Sequence, residues 1–168
     1  MNRITRLGAM VTVATVIASL VPLIAAPAAS ADSGCWNYKR TERKFARKAN
    51  RARSRRGIAK LSIDPELSKA ARKHTTEMVR KNNLYHTPSQ KLRHRVTRWI
   101  TLGENVGVGG TVSSLHGAFM GSAVHKDNIL YRGYRHVGIG VSKKRGRMWV
   151  TVIFESRNDP GTRLNMSC

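Results

Sequence analysis

Two histidines, His86 and His125, lie either side of Gly103-Glu104-Asn105, and Ser122 sits three residues before the second histidine. Two imidazoles and one carboxylate can bind a divalent cation through N and O donors and leave a position open for water. The ion would then polarise that water. The same groups serve equally well as a hydrogen-bonded cluster, in which a carboxylate beside a histidine fixes its tautomer and raises its basicity. A third arrangement draws Ser122, His125 and Glu104 as nucleophile, base and orienting acid, with Ser122 and His125 on one side of a helix. No H-E-x-x-H spacing and no nucleophile-elbow sequence is present. The polar cluster is therefore the use that asks least of these residues.

The remaining candidates carry less. His74 falls on an apolar helical stripe and reads as a core or cleft-edge residue. His94 sits among Arg93, Arg95 and Arg98 and joins a basic surface, His116 reads as helix surface, and His136 precedes a strand with no assigned role. Gly107, Gly109 and Gly110 lack the Lys-Ser/Thr that a phosphate loop requires, so a flexible turn is expected there. Trp36, Trp99 and Trp149 lie near cations that could help them stack bases. Trp149 falls in a strand pattern, however, and no nucleic-acid module is visible, so nucleic acid is expected to bind only non-specifically.

Positive charge dominates the composition, with 31 Lys and Arg against 9 Asp and Glu, a formal net charge of +22. Only Arg3 and Arg6 of these cations precede residue 32. The others concentrate in Lys39 to Arg56, Lys91 to Arg98 and Lys143 to Arg147. Such a surface favours anionic partners, whether phosphate-bearing wall polymers, acidic lipid headgroups or released nucleic acid, or else serves only to keep the chain soluble. Arg3 and Arg6, an apolar run from about Ala9 to Ala26 and the small residues Ala29-Ser-Ala31 read as a secretory signal over 1–31. No later segment is apolar enough to span a membrane. Cys35 and Cys168 stand at the two ends of the mature chain. In an oxidising compartment they are expected to pair as a disulfide, unless they remain free or bridge a dimer. A loop of that size would contribute about 4–5 kcal/mol in the chain-entropy account.

The elements that must position these groups follow from periodicity. A helix is expected over 41–56, capped by Thr41, with Phe45, Ala49 and Ala52 on one face and Gly57 as its stop. A second begins with Asp64 as cap, Pro65 and Glu66, and runs through Leu67, Ala70, Ala71, His74 and Met78 to Asn82 or Asn83. Residues 84–99 show no firm structure, and Trp99 to Gly110 reads as a short strand leading into a loop. A third helix is expected over 111–123, and Asn128 is expected to hold the turn after His125. Alternating apolar residues on either side of Lys143-Lys-Arg-Gly146 predict a β-hairpin. Helices first and antiparallel strands last give an α+β domain, single over 32–168.

Taken in order, these pieces resemble the CAP superfamily, the cysteine-rich secretory protein and pathogenesis-related protein fold, in its bacterial branch. Phe119-Met-Gly-Ser-Ala-Val-His-Lys-Asp-Asn-Ile-Leu130 is similar to the family's W-M-x-S-x-x-H-x-x-N-I-L. Gly103-Glu-Asn105 matches its G-E-N, and His86 its earlier lone histidine. Asn50, Arg53 and Gly57-Ile-Ala-Lys-Leu61 fit its first helix, Leu67-Ser-Lys-Ala-Ala71 its second, and Val137-Gly-Ile-Gly140 its hairpin. The resemblance covers about 41–155. It implies a three-layer α-β-α sandwich with a central antiparallel sheet, and a cleft lined by His86, Glu104, Ser122 and His125. Ser122 stands where many eukaryotic members carry a second acid, which weakens any mechanism needing paired carboxylates. The resemblance also implies reversible Zn²⁺ or other divalent cation binding at His86, His125 and Glu104, with no cofactor required, and adds a small lipid or sterol as a ligand. The reading is a secreted binding protein at an anionic cell exterior, more a binder than an enzyme, attached to an envelope polymer or lipid surface. The competing reading is a metal-assisted hydrolase of peptide or envelope polymer using His86, Glu104 and His125.

Overall fold

The computed structural model describes residues 37–97 and 99–156. The expected signal, Trp36 and both cysteines, Cys35 and Cys168, lie outside the described residues. Within them run α1 (Arg40–Ser54), β1 (Ser62–Ile63), α2 (Pro65–Lys81), α3 (Ser89–Arg95), β2 (Leu102–Gly109), α4 (Val112–Gly121), α5 (Ala123–Leu130), β3 (His136–Lys144) and β4 (Arg147–Glu155).

The hairpin of β3 and β4 is the centre of the sheet, whose strand order is β1-β3-β4-β2. Its two-residue turn places Arg145 and Gly146 at φ 49° and 73°, the pair of positive values that a type I′ turn needs. β2 pairs antiparallel with β4 along its whole length, from Leu102 opposite Glu155 to Gly109 opposite Met148. The short β1 adds to β3 in parallel, a departure from a purely antiparallel sheet.

Period-2 alternation sorts β4 between two helical layers. Met148, Val150, Val152 and Phe154 join Phe45, Ala49, Leu115, Phe119 and Ile129 in one core cluster with α1, α4 and α5. On the other face Ile153 packs with Leu67, Ala70 and Ala71 of α2, and Trp149 with Met78. Each large side chain buried this way contributes about 1.5–3 kcal/mol. On β3, Val137, Ile139 and Val141 face the first cluster, and Gly138 and Gly140 face α2. A Cβ at either glycine would fall on the α2 backbone, at Leu67 and Ala71 respectively. The Val-Gly-Ile-Gly sequence thus lets a helix lie flush on the sheet. Thr75 uses that proximity, its hydroxyl bonding to Gly140 O and to Thr151 Oγ1.

α1 begins one residue earlier than its sequence pattern predicts. Glu42, not Thr41, supplies the cap, its carboxylate accepting from Lys39 N at 2.9 Å. The buried Glu42 carboxylate also takes Arg72 of α2 in a bidentate pair. Because β1 is two residues long, the far half of β3 has no strand neighbour on that side among the described residues. The Glu42–Arg72 pair joins the two helical layers, and Lys39 Nζ donates to Val141 O at 3.2 Å.

α2 follows expectation, with Leu67 N donating to Asp64 Oδ1 at 2.8 Å and Asn82 left-handed at its end. Three further elements and one side chain differ. Residues 89–95 form α3, held by buried Leu92 and by Lys91 and Arg95, both of which donate to Glu77 of α2. Glu77 therefore sits below the ordinary carboxylate range: burial pushes it up, but these two cations outweigh that. The glycine-rich stretch is a full strand, where Gly107 and Gly109 make room for Phe119 and Leu115. The third helix breaks at Ser122 into α4 and α5, so Asn128 lies in a helix and not in a turn after His125. Finally, His116 is half-buried, its ring edge-on to Phe45 at 5.7 Å.

Candidate functional site

β2, at one edge of the sheet, is the spine of the site. Glu104 and Asn105 are neighbours on it and point to opposite faces of the sheet. Glu104 turns to the α2 face, where the chain leaving α2 carries His86 and Thr87. Its carboxylate, 5% exposed, lies 2.9 Å from His86 Nδ1. It also accepts from Thr87 N at 2.8 Å and from Thr87 Oγ1 at 2.6 Å. The His86 ring is more than half exposed. A carboxylate acceptor at Nδ1 makes that atom the donor and, in the neutral ring, leaves the Nε2 lone pair free.

Asn105 turns to the other face and is fully buried. Its amide donates to His125 O at 2.9 Å, and its carbonyl accepts from Asn128 Nδ2 at 2.9 Å. Asn128 also reaches Glu104 O at 3.3 Å. Gly103 makes this approach possible, because a Cβ there would meet Tyr134 Oη and Asn128 Oδ1. His125, in the first turn of α5, bonds Ser122 Oγ through Nδ1 at 2.9 Å and stacks on Phe119 at 4.9 Å. Burial lowers the His125 pKa, and the His86 charge lowers it further. His125 is accordingly a neutral ring at pH 7.

Of the residues singled out by sequence, His86 and Glu104 are in direct contact, as are Ser122 and His125. Asn128 and Asn105 tie the two pairs together. Glu104 makes its contacts with His86 and Thr87, so among the described residues the Ser122–His125 pair has no carboxylate completing a triad. Among the described residues no three His, Cys, Asp or Glu gather closely enough to hold a metal ion. His74, buried, bonds Tyr85 O through Nε2 at 2.7 Å and is structural. Sequence reasoning missed Thr87 and Asn105. Asn105 was in view as the last letter of Gly-Glu-Asn, and Thr87 as the neighbour of His86, but only the paired register of β2 shows what each touches.

Beside the His86–Glu104 pair lies a groove of about 320 Å³, lined on its apolar side by Leu92, Trp99 and Leu102. Arg93 covers the Trp99 ring at 5.7 Å from its centroid.

Sandwich layering and an edge-strand cleft of this composition define the CAP class of extracellular domain. A CAP profile, described as the cysteine-rich secretory protein family, matches residues 46–154, and the chain belongs to that family. It is 30% identical over 139 residues to the uncharacterized protein YkwD of Bacillus subtilis (strain 168), covering 79% of this chain and 54% of YkwD. An extracellular protein containing an SCP domain from Bacillus anthracis str. Ames superposes with a TM-score of 0.61 at 25% identity, over 70% of this chain and 40% of that one. This chain therefore spans about half the length of YkwD and two fifths of the anthracis protein. NaASP2, solved with Zn²⁺, shares the fold at a TM-score of 0.57 and 14% identity, over 72% of this chain and 83% of that one.

Proposed function

We propose that this protein is a secreted, non-catalytic CAP-domain binding module at the anionic exterior of the cell, whose cleft takes a divalent cation or a small, lipid-like ligand. The observation that carries the reading is the state of Glu104. Its carboxylate is buried and already holds three donors, so it has little capacity left as a general base. The neighbouring groove supplies apolar wall and a guanidinium, a combination suited to an amphiphile with an acidic head. Extracellular location is supported by the signal-like residues 1–31 and by the extracellular anthracis relative.

A cation-binding role is favoured by a second observation. Both imidazoles have Nδ1 engaged, by Glu104 and by Ser122. That outer arrangement orients Nε2 for metal ligation, provided the His125 ring donates to Ser122. Two imidazoles fall short of the three protein ligands usual in catalytic zinc sites, so binding would be weak and reversible. A Zn²⁺ titration followed through histidine ring NMR signals tests this. The expected result is a saturable shift of His86 and His125 together, absent in His86→Ala/His125→Ala. Turnover of a peptide or envelope polymer, lost in folded His125→Ala, would overturn the non-catalytic reading in favour of a metal-assisted hydrolase.

A further inference from the structure

The three basic clusters of the sequence meet different fates in the fold. In the second, Lys91 and Arg95 share the Glu77 carboxylate, and Arg93 lies on Trp99. In the third, Lys144 Nζ donates to Val79 O at 2.9 Å, at the end of α2. The first spans α1, which carries most of its cations. One of its cations, Arg53, is turned inward and fully buried. Its one acid, Glu42, is buried and taken by Arg72. Arg40, Arg43, Lys44, Arg47, Lys48 and Arg51 remain, and none of them joins a salt bridge among the described residues.

Helical geometry puts those six on one surface. At 3.6 residues per turn they fall within an arc of about 140°, opposite the arc that holds Phe45, Ala46, Ala49 and Ala52. They form two rows at i, i+4 spacing, Arg40-Lys44-Lys48 and Arg43-Arg47-Arg51, each rising about 6 Å per cation. The helix is 15 residues long, so the stripe extends along a rod of about 22 Å. Mutual repulsion of six like charges costs stability unless something outside the fold offsets it.

We propose that this face of α1 is a docking site for a flexible, linear phosphodiester polymer of the envelope type, lying along the helix between the two rows. The proposal rests on the reading of this protein as a module of the anionic exterior, and gives that reading a location and a ligand class. A lipid bilayer fits less well. An interfacial helix inserts an apolar face, and the apolar face of α1 is spent in the core. Base-stacking contact with single-stranded nucleic acid has no aromatic on the stripe to use.

The test compares the mature protein with two variants of equal charge. In one, the six stripe cations are replaced by Gln, whose helix propensity matches theirs. In the other, Lys60, Lys69, Lys73, Arg80, Lys143 and Arg147, exposed and outside the stripe, are replaced by Gln. The probe is a poly(glycerol phosphate) oligomer, with phosphatidylglycerol vesicles and duplex DNA at matched phosphate concentration. Wild type should bind the oligomer with a log–log salt slope of about −4, as expected for six neutralised phosphates on a single chain. The stripe variant should lose about 100-fold or more in low salt, with most of that slope. The charge-matched control should stay within about fivefold of wild type. Equal losses in both variants would refute the stripe and leave only net charge. Binding to vesicles or duplex as tight as to the oligomer, and lost in the stripe variant, would refute the choice of polymer. Failure of wild type to bind the oligomer or anionic envelope fractions would overturn the underlying reading as well.

Discussion

Arg53 offers the sharpest test of the physical account. Its guanidinium is fully buried, yet no carboxylate pairs with it among the described residues. Instead it donates to Ala59 O at 2.7 Å, Ile129 O and Tyr131 O at 2.9 Å, and Tyr134 O at 3.2 Å. The carbonyls of Ile129 and Tyr131 are at the C-terminus of α5, where a cation also complements the helix dipole. Burial pulls the Arg53 pKa down from its usual value, with Arg135 adding to the effect, but an arginine stays charged. Arg53→Met keeps the apolar stem and removes the charge. Two of the four bonds are wholly buried, and each carbonyl left without a donor costs about 1–3 kcal/mol. The two together cost about 2–6 kcal/mol, and relief from burying the cation offsets part of this, which leaves a net loss of about 2–4 kcal/mol. In a domain of this size that corresponds to a fall in Tm of about 10–20 °C. Arg53→Lys, with a point charge in place of a planar fork, should recover less than half. Urea titration gives the magnitude, and native-state hydrogen exchange should show the loss of protection first across 129–134. Because α5 also carries His125 and Asn128, the His125 ring signal should move in the mutant. A loss under 1 kcal/mol with unchanged protection at 129–134 would refute the assignment of Arg53 as the anchor of α5.

Two further outcomes follow from the packing and the charges. Gly138→Ala and Gly140→Ala should each destabilise by at least about 3 kcal/mol, beyond ordinary overpacking, because the added Cβ meets helix backbone and not a movable side chain; the urea midpoint of each variant checks this. The second is a pH dependence. Burial holds the pKa of His125 and His116 below the ordinary 6.5, with Lys48 adding to the effect at His116. Here the unfolded chain binds more protons, so their contribution is complete above about pH 6.5 and is lost as pH falls toward the folded values. Unfolding midpoints measured from pH 8 to 5 should decline through that window, and His116→Gln/His125→Gln should flatten the decline.

Much of the framework was legible because local chemistry specified it. Asp64-Pro65-Glu66 starts a helix by capping and dipole alone, and Lys143-Lys-Arg-Gly146 between alternating apolar runs can hardly be anything but a hairpin. What escaped was whatever depends on a distant partner. α3 is seven residues long and exists because Glu77 and the core hold Lys91, Arg95 and Leu92. β1 is two residues that pair with β3. The stretch of β2 reads as a short strand running into a loop because glycines at 107 and 109 suggest freedom, whereas they are the space that Phe119 and Leu115 occupy. Of the candidate site, the sequence carried the names His86, Glu104, Ser122 and His125 in family order. It did not carry their pairing, because which imidazole meets Glu104 is decided by strand register and by the path of the chain after α2.

That register has a consequence for how the site can change over generations. Glu104 and Asn105 serve opposite faces only because β2 holds its phase against β4. A one-residue insertion ahead of Glu104 could keep the ladder paired and still exchange the acid and the amide between faces. Point substitutions would then be graded in their effect on the cleft, while length changes in this strand would be all-or-none. Lineages of this domain should drift in residue identity along β2 far more readily than in its length.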